Sequence, residues 1–429
     1  MNVLILGSGG REYTLAWKVS QSVDCDTVFV APGNAGTLQF ANNVDIDVND
    51  FDAIGQFVLA NNIELVIVGP EDPLVKGIRN YFEANDALKS IGFIGPDAAG
   101  AQLEGSKDFS KTFMENNNIP TAKSKTFTID TLEEGLSYLE NCDFPIVLKA
   151  DGLAAGKGVL ICQSLQEAQE SLKTMLQEKQ FGAASEKVLI EQFLDGIELS
   201  VFVLTDGENY VLLPEAKDYK RIGEKDTGLN TGGMGAVSPV SFADESFLEK
   251  VKEKVIAPTL SGLKKESIDY KGFIFIGLMK VNDEPYVIEY NVRMGDPETQ
   301  VVFPRIKSDV LDLFTAAAEG NLNHYKLEVD PNYATTVVLV AGGYPGSYEK
   351  GIEIKGLADV PDALVIHAGT KQDGYKVLTN GGRVMAVTGQ GKTLEDALDE
   401  SYTTIKHITW KDMYYRKDIG KDILALRID

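Results

Sequence analysis

Three short stretches of this chain carry residue types, at spacings, that could do chemistry on a phosphorylated ligand. The first, Tyr286-Val-Ile-Glu-Tyr-Asn-Val-Arg293, alternates: Ile288, Tyr290 and Val292 face one side of a strand, and Glu289, Asn291 and Arg293 face the other. A carboxylate and an amide oxygen are hard ligands suited to Mg²⁺, which keeps waters and takes its remaining ligands from phosphate oxygens. Arg293 adds a planar fork for phosphate or carboxylate. The turn that follows, Met294-Gly-Asp-Pro-Glu-Thr-Gln300, carries two more carboxylates, which fits a bare solvated strand face poorly.

The second stretch is Asp151-Gly-Leu-Ala-Ala-Gly-Lys-Gly158. It is not a Walker A loop, because the first glycine of that motif falls on Asp151 and its final hydroxyl residue is Gly158. It also joins two strands instead of opening a helix. What remains are flexible backbone N–H donors able to fold over a polyphosphate, with Lys149 and Lys157 as point charges. Such a loop is expected to be mobile without nucleotide; the competing reading is an idle hairpin loop.

The third stretch, Gly7-Ser-Gly-Gly-Arg-Glu12, follows an apolar run and invites a dinucleotide-binding reading, but Glu12 replaces the third glycine and would repel a pyrophosphate. A smaller phosphate, approached by the backbone of Gly9 and Gly10 and by Arg11, fits better; a glycine turn that only lets a helix pack closely is the plainer alternative. Lys107, Glu191, Glu198, Asp218, Lys220 and Arg221 gain meaning only in company. His324, His367 and His407 lie outside every stretch, and there is no G-x-S-x-G elbow, so histidine acid–base and serine nucleophile chemistry are poor readings.

These residues need elements to hold them. Residues 3–6, 27–30, 65–68 and 93–94 read as buried parallel strands of a doubly wound sheet, each followed by turn residues where open α/β sheets bind ligands. After about residue 105, strands at 145–150, 159–162, 188–191 and 199–204 with a helix to about 179 read as an antiparallel lid lobe. A long Gly-rich loop to Pro239, a helix near 245–263, strands at 273–279 and 286–292, a linker near 321–330 and a β-rich end closed by a helix at 394–408 follow. The expected fold is thus a multidomain α/β and α+β chain: 1–104 doubly wound, 105–325 with a lid about 121–190, and a C-terminal domain 326–429.

With 64 acidic against 41 basic side chains, a formal charge of −23 repels nucleic acid and anionic membranes, so anionic substrates must be held by local groups. Cys25, Cys142 and Cys162 form no CxxC pair, which argues for a reducing cytoplasmic setting and against a zinc knuckle. No apolar run is long enough to span a bilayer and no basic leader precedes the first strand.

On these motifs, together with Gly105-Ser-Lys107, Asp226-Thr-Gly-Leu-Asn-Thr-Gly-Gly-Met-Gly235, Gly342-Gly-Tyr-Pro345 and Arg416-Lys-Asp-Ile-Gly420, the chain resembles the glycinamide ribonucleotide synthetase (phosphoribosylamine–glycine ligase) family of ATP-grasp enzymes. The resemblance implies an ATP-grasp core, with Lys107 and Lys149 on the nucleotide phosphates under a cover that includes Gly152, Gly156, Lys157 and Gly158. It further implies that Glu191 and the backbone of Phe193 and Leu194 read adenine, Glu198 holds the ribose, and Glu289 and Asn291 bind Mg²⁺, with Mn²⁺ as the alternative ion. Arg293, Asp296 and Asp218 are implied to be catalytic, with Gly9, Gly10, Arg11, Asn34, Lys220, Arg221 and Gly295 on the substrates. The family usually has His at Tyr13 and Tyr219 and commonly Pro at Leu229, and many ATP-grasp enzymes carry a carboxylate where this chain has Gly277. Metal binding is then expected to lean on ATP oxygens.

The implied reaction, in purine biosynthesis, joins glycine to 5-phosphoribosylamine through glycyl phosphate, releasing ADP and phosphate, in a cytoplasmic monomer or weak homo-oligomer. The competing readings are another ATP-grasp carboxylase or ligase, and a nucleotide-binding regulator without turnover. ADP release that needs both substrates separates them.

Overall fold

In a computed structural model, which describes residues 1–152, 158–360 and 364–426, five parallel strands come first: β1 (Asn2–Gly7), β2 (Thr27–Pro32), β3 (Asn42–Asn43), β4 (Leu65–Val68) and β5 (Gly92–Ile94). Their order, β3-β2-β1-β4-β5, is that of a doubly wound sheet. The strands read as unbroken apolar runs because both faces are covered: Leu15, Val19, Leu313 and Phe314 bury one, and Ile54, Val58 and Phe82 the other.

A second, antiparallel sheet is ordered β6-β9-β7-β8 and consists of β6 (Ser124–Thr128), β7 (Ile146–Ala150), β8 (Val159–Cys162) and β9 (Lys187–Gln192). Helices Leu132–Leu139 and Leu165–Gln177 cover it, and Phe127, Leu148, Leu172 and Ile190 give this lobe a core of its own. A lobe with a separate core can shift against its neighbours without opening theirs.

The remaining strands are β10 (Ile197–Thr205), β11 (Tyr210–Asp218), a ribbon of β12 (Arg221–Gly223) with β13 (Thr227–Asn230), β14 (Gly235–Ser238), β15 (Gly272–Val281), β16 (Glu284–Asn291), β17 (Tyr333–Val340), β18 (Leu364–His367), a hairpin of β19 (Thr370–Asp373) with β20 (Lys376–Thr379), and β21 (Arg383–Gly391). Eight of them form one antiparallel sheet in the order β16-β15-β10-β11-β14-β17-β21-β18. The division expected at residue 325 therefore falls inside one hydrogen-bonded sheet, stitched where β14 pairs with β17.

Three expectations are corrected here. The strand at 199–204, read as part of the lid, is the centre of β10, which pairs with β15 from Ile197 to Thr205. The supposed Gly-rich loop to Pro239 contains β11 and β14 as well as the ribbon; its glycines and charges hide the alternation of two strands whose neighbours bury them. Finally, the strict alternation at 286–293 is broken by a bulge in β16: Gly277 faces Glu289 while the next residue, Leu278, faces Val287. Ile288 is the extra residue, so Val287, and not Ile288, joins Tyr290 and Val292 in the core. The bulge leaves Glu289, Asn291 and Arg293 on one face.

Candidate active site

Ser106 caps the helix Lys107–Asn116, its hydroxyl accepting from Phe109 N at 3.1 Å. The Asp151 carboxylate docks on the same helix end, accepting from Asp108 N at 2.8 Å and from Ser106 Oγ at 3.0 Å. The start of the Gly-rich loop thus uses a helix N-terminus after all, through its own carboxylate. Lys107 follows the cap and donates to the Gly152 carbonyl at 3.1 Å. One turn on, Lys111 lies on the same helix face and contacts Glu191 Oε1 at 2.9 Å and Thr121 Oγ1 at 2.6 Å.

Lys149, from β7, lies 2.8 Å from Glu191 Oε2, off the line of a hydrogen bond, and donates to the Ile288 carbonyl at 3.3 Å. The bulge residue of β16 thus receives the lysine of β7. Glu191 is buried between two ammonium groups. Burial pushes Lys107 and Lys111 below the usual lysine range, against the pull of Glu289 on the first and Glu191 on the second. Phe193 and Leu194 sit in the connector between β9 and β10 and form no backbone hydrogen bond among the described residues.

Across from these lysines lies a carboxylate-rich set. Lys220 pairs closely with Glu198 and lies 3.8 Å from Glu289 Oε1, the nearest ion-pair partner of that carboxylate among the described residues. Burial would lower the Lys220 ammonium, but Glu198, Asp218 and Glu289 outweigh it and hold it well above the usual range. Burial would raise Glu289, but Lys220, Lys149, Lys107 and Arg293 keep it below the usual carboxylate range and hence ionised. Two other carboxyls lack such compensation: burial pushes Asp218 up to about 6 despite Lys220, and burial plus the charge of Asp218 pushes Glu298 up to about 8.

Arg293 is fully engaged. Its Nη2 donates to Glu104 Oε1 at 2.7 Å and to Asn291 Oδ1 at 3.2 Å, and its Nε to Glu71 Oε2 at 3.3 Å. Glu104 also accepts from Val292 N at 2.8 Å, and burial raises it to about 7 against the pull of Arg293. Behind them, burial would raise Asp296, but Arg383 and Arg11 hold it below the usual range; Gln300 Nε2 donates to it at 2.6 Å. Arg383, from β21, donates to the carbonyls of Asp296 at 2.6 Å and Gly232 at 2.7 Å.

In the N-terminal sheet Glu12 explains why no dinucleotide crevice exists. Its carboxylate folds back to accept from Gly9 N at 2.6 Å and pairs with Arg11 Nε at 2.6 Å. A β-carbon on Gly7 or Gly69 would meet Glu12 at 2.5 Å or 2.0 Å, so the glycines make room for a side chain and not for a ligand. Arg11 Nη1 donates to the Met294 carbonyl at 3.1 Å, which ties this sheet to the turn carrying Asp296. Asn34 is turned inward: its amide donates to Ser8 O at 2.9 Å and His367 O at 3.0 Å, and its oxygen accepts from Gly36 N at 2.9 Å and Thr37 N at 3.2 Å. The side chain read as a substrate contact is left with no free donor, because it closes its own loop against β18.

The structure thus brings Lys107, Lys149, Glu191, Glu198, Asp218, Lys220, Glu289, Asn291, Arg293 and Asp296 into one junction of the lid and central sheets. Gly295 lies under Glu298, whose carboxylate is 2.3 Å from where a β-carbon would sit. Arg221 is further out, its Nη1 on Gly228 O at 2.8 Å within the ribbon. Gly158 accepts from Ala150 N at 2.8 Å, while Gly156 and Lys157 lie outside the described residues. A cavity of about 550 Å³ lined by Arg79, Phe82, Leu88 and Lys271 is elsewhere, beside β5. Sequence reasoning noted Glu298 only as one of two carboxylates in its turn, and missed Lys111, Glu104 and Arg383. Only Lys111 left a usable signal, its one-turn spacing from Lys107.

The donor set fits a hard divalent cation. Glu289 is an ionised oxygen donor with no close hydrogen bond and feels the charges of Lys107 and Lys149, and Asn291 Oδ1 lies on the same strand face, held by Arg293. Among the described residues no group of three His, Cys, Asp or Glu could hold a metal alone, so such an ion would draw its remaining ligands from phosphate. Gly277 pairs with Glu289 across the two strands, and a β-carbon there would lie 3.1 Å from Glu289 Cγ.

Comparison with known proteins adds an independent line. Three models of phosphoribosylglycinamide synthetase match: the N domain over residues 1–104, the ATP-grasp (A) domain over 105–299 and the C domain over 334–422. A phosphoribosylamine–glycine ligase of Escherichia coli O6:H1 is 47% identical and one of Vibrio cholerae serotype O1 is 46% identical, with at least 98% of each chain covered. A bifunctional purine biosynthetic protein of Pichia angusta is 46% identical over 98% of this chain, which spans only 53% of that protein. The crystal structure of a phosphoribosylamine–glycine ligase from Thermotoga maritima superposes with a TM-score of 0.84 at 34% identity, covering 97% of this chain and all of that one. A biotin carboxylase domain from Hydrogenobacter thermophilus shares the fold, with a TM-score of 0.72 at 18% identity over 96% of this chain and 91% of its own.

Proposed function

The chain belongs to the phosphoribosylglycinamide synthetase family, and from that premise we infer that it is an ADP-forming carbon–nitrogen ligase of purine biosynthesis that joins glycine to 5-phosphoribosylamine. The observation that carries the reading is Glu289, ionised and without a close partner, faced from one side by Lys107 and Lys149 and from the other by Lys220 and Arg293. A polyphosphate and its cation fit between these groups.

Glycine's carboxylate is too stable to meet an amine directly, so one of its oxygens attacks the γ-phosphorus of ATP, giving glycyl phosphate and ADP. The amine nitrogen then attacks the acyl carbon, phosphate leaves, and the nitrogen sheds a proton. Both steps ask for positioning and charge neutralisation more than for a protein nucleophile. Lys107 and Lys149 hold the phosphates, Glu191 and the free backbone of Phe193 and Leu194 face the base, and Glu198 meets the ribose. Glu289 and Asn291 hold a divalent ion, Mg²⁺ in our reading, which neutralises phosphate charge when bound. Asp218, with its raised affinity for protons, stands beside Lys220 as an acceptor for the amine's proton. Arg293, locked by Glu71 and Glu104, sets the Asn291 amide, while Asp296, Gly295, Arg11, Gly9 and Gly10 line the side toward the N-terminal sheet, where the phosphoribosyl group is placed.

We keep 1–104, 105–325 and 326–429 as the functional units. No helix among the described residues is long and apolar enough to cross a membrane. The deciding experiment is ADP release measured with glycine and freshly generated phosphoribosylamine, together and singly. Release that needs both supports the ligase, and nucleotide binding without release in the presence of both would leave a regulator.

A further inference from the structure

The motif Arg416-Lys-Asp-Ile-Gly420 has no part in the chemistry above, yet Arg416 is only 1% exposed. A buried arginine must be paired on every side to offset the water it loses, and its partners show what it holds. Its Nη1 donates to Asp226 Oδ1 at 2.7 Å and to the Arg221 carbonyl at 3.1 Å, both on the β12–β13 ribbon. Its Nε and Nη2 each meet Asp418 at 2.8 Å, and Asp418 in turn accepts from Lys225 N at 2.6 Å. Tyr414 donates its hydroxyl hydrogen to the Ile222 carbonyl at 3.0 Å. The ribbon belongs to no larger sheet, and a two-stranded ribbon alone is marginal in water.

Tyr219 links this grip to the reacting residues. It lies between Asp218 and Lys220, which point toward Glu198 and Glu289, and points the opposite way. Its hydroxyl donates to Asp422 Oδ1 at 2.5 Å and accepts from Gly420 N at 2.9 Å, while the Arg416 guanidinium lies 5.2 Å from the ring centre. The phenol is 2% exposed and therefore packed as well as hydrogen-bonded.

We infer that residues 414–422 form a clasp that sets the position of Lys220 and of the ribbon beside the reacting site, with Tyr219 and Arg416 as positioning residues for ligation and not for nucleotide binding. The inference rests on the ligase reading for its kinetic consequence. The lysines that hold the nucleotide come from the lid and from the helix Lys107–Asn116, which the clasp does not touch in any hydrogen bond or ion pair described.

The test uses the full chain with Tyr219→Phe, Asp422→Ala and Asp422→Asn. Tyr219→Phe keeps the ring and deletes the hydroxyl link; it and Asp422→Ala are expected to lower kcat about tenfold with the KM for ATP unchanged. Asp422→Asn keeps an acceptor for the phenol and should stay within about twofold of the parent. Independently of turnover, amide exchange across residues 220–231 should quicken about tenfold in Tyr219→Phe while that of β7 and β8 stays as it was. Unchanged exchange in the ribbon overturns the clasp whatever the activity shows, as does a loss of ATP affinity equal to the loss in kcat. A parent protein that releases no ADP with both substrates counts against the ligase reading instead, and the exchange measurement still decides the clasp.

Discussion

On the lid side of the junction, Lys111 and Lys149 share one buried carboxylate, Glu191, and Lys107 reaches a backbone carbonyl. On the side of the central sheet, Lys220 stands among Glu198, Asp218 and Glu289, with Glu298 and Glu104 behind. The first set has an excess of positive charge and its cations are partly desolvated. The second has an excess of acid, and three of its carboxyls hold protons to unusually high pH. The difference teaches what each side favours: the lysines favour an anion, and the carboxylates favour a cation.

The sharpest way to break this division is Glu289→Ala. It removes the carboxylate that faces both sets from a half-exposed position, so turnover should fall about a hundredfold or more while the melting temperature barely moves. Near-normal ADP release at limiting Mg²⁺ would take Glu289 out of the metal site.

Lys111→Met tests the lid side alone. With one partner of Glu191 gone, the KM for ATP should rise about ten- to a hundredfold and those for glycine and the amine should hold. An equal rise in all three would erase the distinction between the sides.

Arg11→Ala asks whether the N-terminal sheet serves the second side. Two of its nitrogens are occupied by Glu12 and the Met294 carbonyl, so the loss in affinity for phosphoribosylamine should be about tenfold, at the low end for a charged contact, with ATP spared. If ATP weakens and the amine does not, Arg11 belongs to the other side.

The last effect concerns protons, and it leaves turnover aside. Glu298 is raised from 4.5 to about 8, so in the window between those values the folded chain holds a proton that the unfolded chain has released. Stability from this group is therefore full below the lower value and is lost as pH climbs to the upper one, at no more than about 1.4 kcal/mol per pH unit. Asp218 is raised by the same burial and titrates together with Glu298, so the two carboxyls share this dependence. Glu298→Gln should flatten the fall in melting temperature of the nucleotide-free protein between pH 5 and 8. A profile that keeps its slope in the variant would place the proton elsewhere.

Much of this was legible before any coordinates. Residues 65–68 and 159–162 coincide with β4 and β8, because a short apolar run bounded by turn residues allows little else. The polar face of β16 was legible for the same reason, since Glu289, Asn291 and Arg293 share a parity that the bulge at Ile288 precedes and does not disturb. The strands β11 and β14 were hidden, because their glycines and charges read as loop until neighbouring strands supply the missing burial. Asn34 reads the same from sequence whether it meets a ligand or closes its own loop, and only the fold shows its bonds to Ser8 and His367.

The sequence alone determined which residues carry charge, which runs are apolar, and that none of the motifs contains a histidine. These are local properties, set by side-chain type and by periods of two and 3.6 residues. Only the tertiary structure decided which charges meet. Lys149 and Ile288, Arg11 and Met294, Arg383 and Asp296, and Arg416 and Asp226 lie far apart in the chain. Their pairing follows from donors and acceptors that the fold brings within a few ångströms, and the protons held by Glu298 and Glu104 follow from burial and neighbouring like charge, which no local pattern encodes.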